Sequence, residues 1–324
     1  MTDSEKLLNY FEDHLDELLK VLGEVVNLES PSHEDKTASD KCGKYLQDLF
    51  RSIGFKITVI PQELNGDHFT AELGKGRKGT LCVGHYDTVF PIGTIKNMPF
   101  KIEGNKAYGP GILDMKGGIV MGYYAVRALQ ELDMLPSDKI TFFINGDEES
   151  GSFHSSDLIV EEALKNKHVL ILEPGLDEIG QVKTGRYGRG TYDITAHGRA
   201  AHSGSNSHLA ISPLLELAHQ LIRIQEMNDY ERGITLAPTY MQAGVYGTCM
   251  VPETGWISVD VRTKDAELSK KLNDIMMNLP PATRGVRLEI KGGIDKPPLE
   301  GDKKLFEVAK KLGAEVGIKV SGAI

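Results

Sequence analysis

The sequence predicts an α/β fold in two parts. One is a layered α/β domain with a largely parallel sheet; the other is an inserted ferredoxin-like α+β domain of β-α-β-β-α-β order. Three observations carry this. Short β-rich runs alternate with amphipathic helical runs through the first half of the chain, as in a layered domain. Between residues 187 and 292 the order becomes strand, helix, two strands, helix, strand, a split unit complete in itself. The segment GIDKPPLEGDKKLFEVAKKLGAEVGIKV then reads as a proline linker, one helix and the start of a strand, a return to the first domain. The expected boundaries are 1–186 with 293–324 for the layered domain and 187–292 for the insert.

Taken in order, two helices open the chain over 4–28 and 34–53, the second stopped by Gly54. The strands FKITVI, DHFTAEL and GTLCVGH follow. The glycine-rich YGPGILDMKGG leads into a helix with apolar residues at helical spacing through Leu132. Next come the two-sided apolar strand KITFFIN, a helix near 153–165, and the strand HVLILEP. In the insert, the strand RGTYDITAHG precedes a helix over 208–227. The strands ITLAPTYMQAG and TGWISVDVRT, a helix over 265–279 and the strand VRLEIKG complete it.

The 324 residues are enough for two domains with sizeable cores, and 40% hydrophobic with 26% charged residues is a globular composition. A net charge of −9 argues against nucleic acid as a partner, which needs a basic surface. The three cysteines, Cys42, Cys82 and Cys249, are far apart and form no CxxC pair, which suits a reducing compartment. The N-terminus lacks the basic start and apolar core of a signal peptide, and no apolar run approaches a membrane span. The expected location is cytoplasmic, with no membrane partner.

Four segments place metal-capable residues at strand ends or a helix start. His85 and Asp87 of GHYDTV lie two apart, on one side of an extended backbone. Asp114 precedes a helix N-terminus. Asp147, Glu148 and Glu149 follow a buried strand, where open α/β sheets bind ligands. Glu173 follows HVLIL. One histidine with several carboxylates and no thiolate suits zinc, with manganese or cobalt as alternatives, and a shared carboxylate can bridge two ions. Adjacent Glu148 and Glu149 point differently, so one can bind metal while the other serves as general base. Among other histidines, His14, His33 and His68 read as surface residues.

HYDTV, the aspartate of GPGILDMKGG, DEESGS, LEPG and the later GRAAHSG together resemble the signatures of the dinuclear zinc peptidase family. That family includes glutamate carboxypeptidase, aminoacylase, acetylornithine deacetylase and succinyl-diaminopimelate desuccinylase. The resemblance runs in order over roughly residues 5–320. It implies two Zn2+ per chain, with His85 and Glu173 on one ion, Glu149 on the other and Asp114 bridging. It further implies that Asp87 orients His85 and that Glu148 is the base. His202 would stabilise the oxyanion across a homodimer formed by the inserted lid domain, and Arg262 would bind the substrate carboxylate. Glu173, where other relatives have Asp, matches the carboxypeptidase and acylase side. The implied substrate is a small peptide or N-acyl amino acid with a free carboxylate beside the scissile amide.

Two departures stand out against the family pattern. Cys249 of TCMVP occupies the place of a substrate-positioning Asn, and the chain ends at VSGAI before a second metal-binding histidine. The alternative expectation is therefore a single-metal or non-catalytic relative that binds a carboxylate ligand.

Overall fold

The computed structural model describes residues 1–76, 78–176 and 180–324. The chain separates into two compact units, one of residues 1–180 with 312–318 and one of residues 181–311 with 319–324.

In the first unit, helices α1 (Asp3–Asp13) and α2 (Leu15–Asn27) stand where one helix was expected over 4–28. The break is His14, at φ −108°, ψ 11°. Its ring stacks on Tyr10, and its Nδ1 donates to the Tyr10 carbonyl at 2.8 Å, competing with the backbone for that acceptor. Helix α3 (Lys36–Ser52) starts where the Asp35 carboxylate accepts from the Ala38 N–H. It ends, as expected, at Gly54, whose φ of +90° needs a glycine.

The sheet contains β1 (Lys56–Ile60), β2 (Gly66–Leu73), β3 (Thr80–His85), β4 (Ile140–Gly146) and β5 (His168–Ile171), in the order β1-β2-β4-β3-β5. The parallel ladder is the half made by β3 with β4 and β5. β1 and β2 extend it antiparallel, because their short connection forms a hairpin while parallel neighbours need a crossover. Helix α4 (Gly117–Glu131) carries the chain from β3 to β4, and α5 (Ser156–Leu164) carries it from β4 back past β3 to β5. Crossovers running in opposite directions put their helices on opposite faces. The core confirms this. Phe142 and Ile144 pack with Phe50, Phe69 and Tyr124 on one face, while Phe143 packs with Leu81, Val83 and Leu158 on the other. β4 is buried along its whole length, as a two-sided strand must be. Among the described residues β5 pairs only with β3, and it is exposed throughout.

The second unit is a four-stranded antiparallel sheet in the order β7-β8-β6-β9, from β6 (Gly188–His197), β7 (Ile234–Ala243), β8 (Thr254–Thr263) and β9 (Arg287–Lys296). Helices α6 (Pro213–Glu226) and α7 (Ala266–Met277) connect it. α6 begins later than expected because Ser212 caps it, accepting from the Leu215 N–H, and Pro213 fits the first turn. Burial alternates strictly along β6 and β8, the period-2 signature of a sheet covered on one face. Tyr192, Ile194, Ile257, Val259 and Val261 face a core shared with Leu217 and Ile224 of α6 and with Leu272 and Met276 of α7. The other face carries the polar residues. Helix α8 (Lys303–Glu315) follows. Among the described residues no helix is long and apolar enough to cross a membrane.

Candidate metal centre

The parallel strands end together, and their carboxyl ends carry the chemistry. His85 is the last residue of β3, Asp147–Glu149 follow β4 directly, and Glu173 lies two residues beyond β5. Asp114 comes from the turn before α4, where the Asp114–Met115 peptide is cis. Gly118 lets that turn approach β5: a Cβ there would lie 1.9 Å from the Leu172 carbonyl oxygen, so no other residue fits.

His85 is buried, with 1% exposure. Its Nδ1 lies 3.0 Å from the Asp87 carbonyl oxygen, which can only accept, so Nδ1 carries the proton. Nε2 then faces the carboxylates. It is 3.0 Å from Asp114 Oδ1, 3.6 Å from Glu173 Oε1 and 3.9 Å from Glu148 Oε2. One ligand atom from each of His85, Asp114 and Glu173 lies within 4.8 Å of the other two. Separations of 3.0 and 3.6 Å match the edges of a tetrahedron whose centre is about 2 Å from its corners, the zinc–ligand distance. Without a cation these carboxylates favour a proton on Nε2, and a divalent cation would replace that proton among them. Burial pulls the imidazole towards neutrality, yet Asp87, Glu173 and Glu148 override it and push His85 up to about 11. These residues fit a divalent cation.

Asp87 is fully buried and uses both oxygens. Oδ1 lies 3.3 Å from His85 Nδ1 and accepts from the Glu148 N–H at 3.2 Å; Oδ2 accepts from the Glu149 N–H at 3.0 Å and from Ser32 Oγ at 2.7 Å. One carboxylate thereby sets the imidazole and the acidic turn against each other.

The three acids divide their work. Asp147 is buried and faces inward. Oδ1 accepts from Asn145 Nδ2 and Ser155 Oγ, and Oδ2 from the His154 and Ser155 N–H groups. Burial raises its carboxyl, but these bonds outweigh burial and hold it below the usual range. Glu148 is 45% exposed on its side chain; burial, then Glu173, Asp87 and Asp114, raise its carboxyl against the lowering effect of His85. Glu149 is half-buried, and burial with the Asp114 charge pushes it up to about 7. Glu149 is not a member of the three-residue ligand set.

Three residues were missed or misread from sequence. His68, expected at the surface, is fully buried: β2 turns it inward, where its Nδ1 accepts from the Gly146 N–H and Nε2 lies 3.8 Å from Asp147 Oδ1. Ser32 has no motif to mark it. Lys116 is buried, and its Nζ donates to the Val25 and Leu28 carbonyls at 3.2 and 2.7 Å, at the C-terminal end of α2. A lysine inside a glycine-rich turn ahead of an apolar helix was its only available signal.

In the second unit, His202 is exposed, and its Nδ1 accepts from the Gly204 and Ser205 N–H groups at 3.1 and 3.2 Å. Nε2 therefore carries the ring proton, as an outward donor. Cys249 sits beside this turn, its carbonyl accepting from the Ser203 N–H. Arg262 is 40% exposed on β8, its Nη2 3.3 Å from Asp260.

Comparison with known proteins places these features in a lineage. Carboxypeptidase G2 from Pseudomonas sp. (strain RS-16) is 31% identical over 248 residues, 76% of this chain and 59% of that protein. Succinyl-diaminopimelate desuccinylase from Orientia tsutsugamushi (strain Boryong) is 26% identical over 277 residues, 80% of this chain and 70% of its own length. The chain thus spans well under the full length of the curated relatives it matches. A tripeptidase from Staphylococcus aureus shares the fold at TM-score 0.71 and 16% identity, over 100% of this chain and 85% of that one. A dinuclear metal binding peptidase from Bacillus subtilis shares it at TM-score 0.69 and 14% identity, over 96% and 83% of the two chains. The model of peptidase family M20/M25/M40 matches residues 81–323, a stretch that takes in His85, Asp114, the acidic turn, Glu173 and the second unit's four-stranded sheet, and the chain belongs to that family.

Proposed function

We propose that the protein is a metal-dependent amide hydrolase that cleaves a peptide or N-acyl amino acid beside a free carboxylate. The observation that carries it is the set His85, Asp114 and Glu173, with ligand atoms within 4.8 Å of one another, beside the Glu148 carboxylate. His85 and Glu173 would hold one ion, Glu149 a second, and Asp114 would bridge them. Zinc suits this donor set, with manganese or cobalt as alternatives. When bound, the cations supply Lewis-acid charge that acidifies water and polarises the amide carbonyl.

The chain's own residues do the rest. Glu148 takes the proton of the attacking water and passes it to the leaving amine, the work of a carboxyl whose pKa burial has raised. Asp87 holds the imidazole of His85 in the tautomer that leaves Nε2 free. Arg262 takes the substrate carboxylate, and His202 Nε2–H stabilises the oxyanion. The roles of Glu148, Asp87, His202 and Arg262, the inserted lid domain at 187–292, its use in a homodimer and a cytoplasmic location all belong to this reading. Relatives named as a carboxypeptidase and a desuccinylase support it.

One observation favours a single-metal form. Among the described residues, His85, Asp114 and Glu173 are the one three-residue ligand set, and Glu149 lies outside it. The test of the main reading is release of free amino acid from a panel of N-acyl amino acids after reconstitution with Zn2+, Mn2+ or Co2+. Release that requires a metal and is lost in Glu148→Gln supports it; no release with any metal overturns it.

A further inference from the structure

Two buried side chains hold the backbone of the acidic turn. Asp87 accepts from the N–H groups of Glu148 and Glu149, and His68 Nδ1 accepts at 3.2 Å from that of Gly146, the last residue of β4. His68 reaches it through a bulge. Along the β2–β4 ladder Phe69 pairs with Ile144 and Gly66 with Gly146, so Asp67 and His68 together stand opposite the single residue Asn145. Bulges of this kind re-aim a side chain and are frequent beside active sites. Glycine at 146 leaves the room, since a Cβ there would lie 2.8 Å from both the Gly66 carbonyl oxygen and Tyr86 Oη.

The ring leaves one of its own donors unsatisfied. Because Nδ1 accepts, Nε2 carries the proton. Nε2 is buried with no hydrogen-bond partner among the described residues, and its 3.8 Å to Asp147 Oδ1 is too long for one. The ring is fully buried, 6.4 Å from that of Phe143 between centroids. Packing alone would be served better by an apolar ring, which orphans no donor. What an apolar ring lacks is the Nδ1 lone pair. Burial, with a smaller push from His154, holds the imidazole below the usual histidine range against the charges of Asp147, Asp87 and Asp67, so that lone pair is available at neutral pH.

We propose that His68 is a positioning residue for the acidic turn: by accepting the Gly146 N–H, its Nδ1 fixes where β4 ends and therefore where Glu148 and Glu149 stand. It acts through the backbone of Gly146 and Asp147. A displacement of about 1 Å at a reacting group can lower a rate about 100-fold, so an acceptor at this point has leverage on turnover. This inference rests on the reading of Glu148 as the base and Glu149 as a metal ligand.

The parent chain supplies the first test. Nitrogen NMR of its imidazoles at neutral pH should show His68 with Nδ1 unprotonated and Nε2 protonated; a proton on Nδ1 would overturn the proposal. Two variants then separate acceptor from ring. His68→Asn keeps an acceptor near the Nδ1 position and loses the ring, while His68→Phe keeps the ring and loses the acceptor. Site-resolved hydrogen exchange should be about tenfold faster at Gly146, Glu148 and Glu149 in His68→Phe and within about twofold of the parent in His68→Asn, with Val83 on β3 unchanged in both. Turnover of an N-acyl amino acid should follow the same order. In His68→Phe kcat should fall at least about tenfold with KM within about twofold, and in His68→Asn kcat should return to within about threefold of the parent. The reverse order, with His68→Phe near the parent and His68→Asn impaired, would show that the ring only packs. That result, equal exchange in all three chains, or exchange raised as much at Val83 as in the turn would each overturn the proposal. Exchange requires no turnover. Failure of the hydrolase reading would therefore appear as an inactive parent with the exchange order intact, and failure of the positioning role as a lost exchange order.

Discussion

The Asp87 carboxylate accepts the backbone N–H of Glu149 at 3.0 Å, while its other oxygen lies 3.3 Å from Nδ1 of His85. The carboxyl ends of two strands are thereby tied to one buried group, and the imidazole and the acidic turn cannot move independently.

Asp87→Ala should therefore loosen both at once. Residues that orient a metal-binding histidine are worth about 10–100-fold in metal affinity. Titration of Zn2+ against a competing chelator should show a loss of that size, with the fold retained by circular dichroism. An unchanged affinity would mean that the strands alone position His85.

Glu148→Gln should leave bound metal unchanged by elemental mass spectrometry and lower turnover at least about 100-fold, the usual contribution of a general base. Turnover within tenfold of the parent would remove Glu148 from that role.

Asp147→Asn tests the inward-facing member of the acidic run. The asparagine amide would set an N–H group against the donors of Asn145, Ser155 and His154. Losing charge-assisted bonds to a buried carboxylate costs about 1.5–3 kcal/mol, so the denaturant midpoint should fall. A midpoint equal to the parent's would show that the network does not stabilise the turn.

Glu216 makes a pH prediction for the second unit. It is fully buried on α6; burial raises its carboxyl, but bonds from Gln220 and from the Ala282 and Thr283 N–H groups outweigh that and lower it. A depressed folded-state pKa contributes stability above the unfolded value near 4.3, and that contribution is lost as pH falls through the folded pKa. Glu216→Gln should lose stability at pH 7 and converge on the parent in acid. Thermal melts from pH 7 down to pH 3 check this; a gap that stays constant across the range would contradict it.

Periodicity and turn chemistry determined much of this protein by themselves. Gly54 stops α3, β4 is two-sided, β6 and β8 alternate, and the order of elements in the second unit is legible because each is a local consequence of backbone geometry. The residues of the candidate metal centre could be named from the sequence, since carboxylates at the ends of buried strands are costly without a partner, and three of them, His85, Asp114 and Glu173, lie together. Tertiary structure decided the rest. Only the crossing of α4 and α5 in opposite directions brings Asp114 and Glu173 to His85 from positions far apart in the chain. The inward turn of Asp147 depends on donors from the following loop, and the burial of His68 on the face β2 presents. The approach of His68 to the Gly146 N–H depends on a one-residue bulge in β2. Such facts reside in register and packing between distant segments, where spacing along the chain carries no signal.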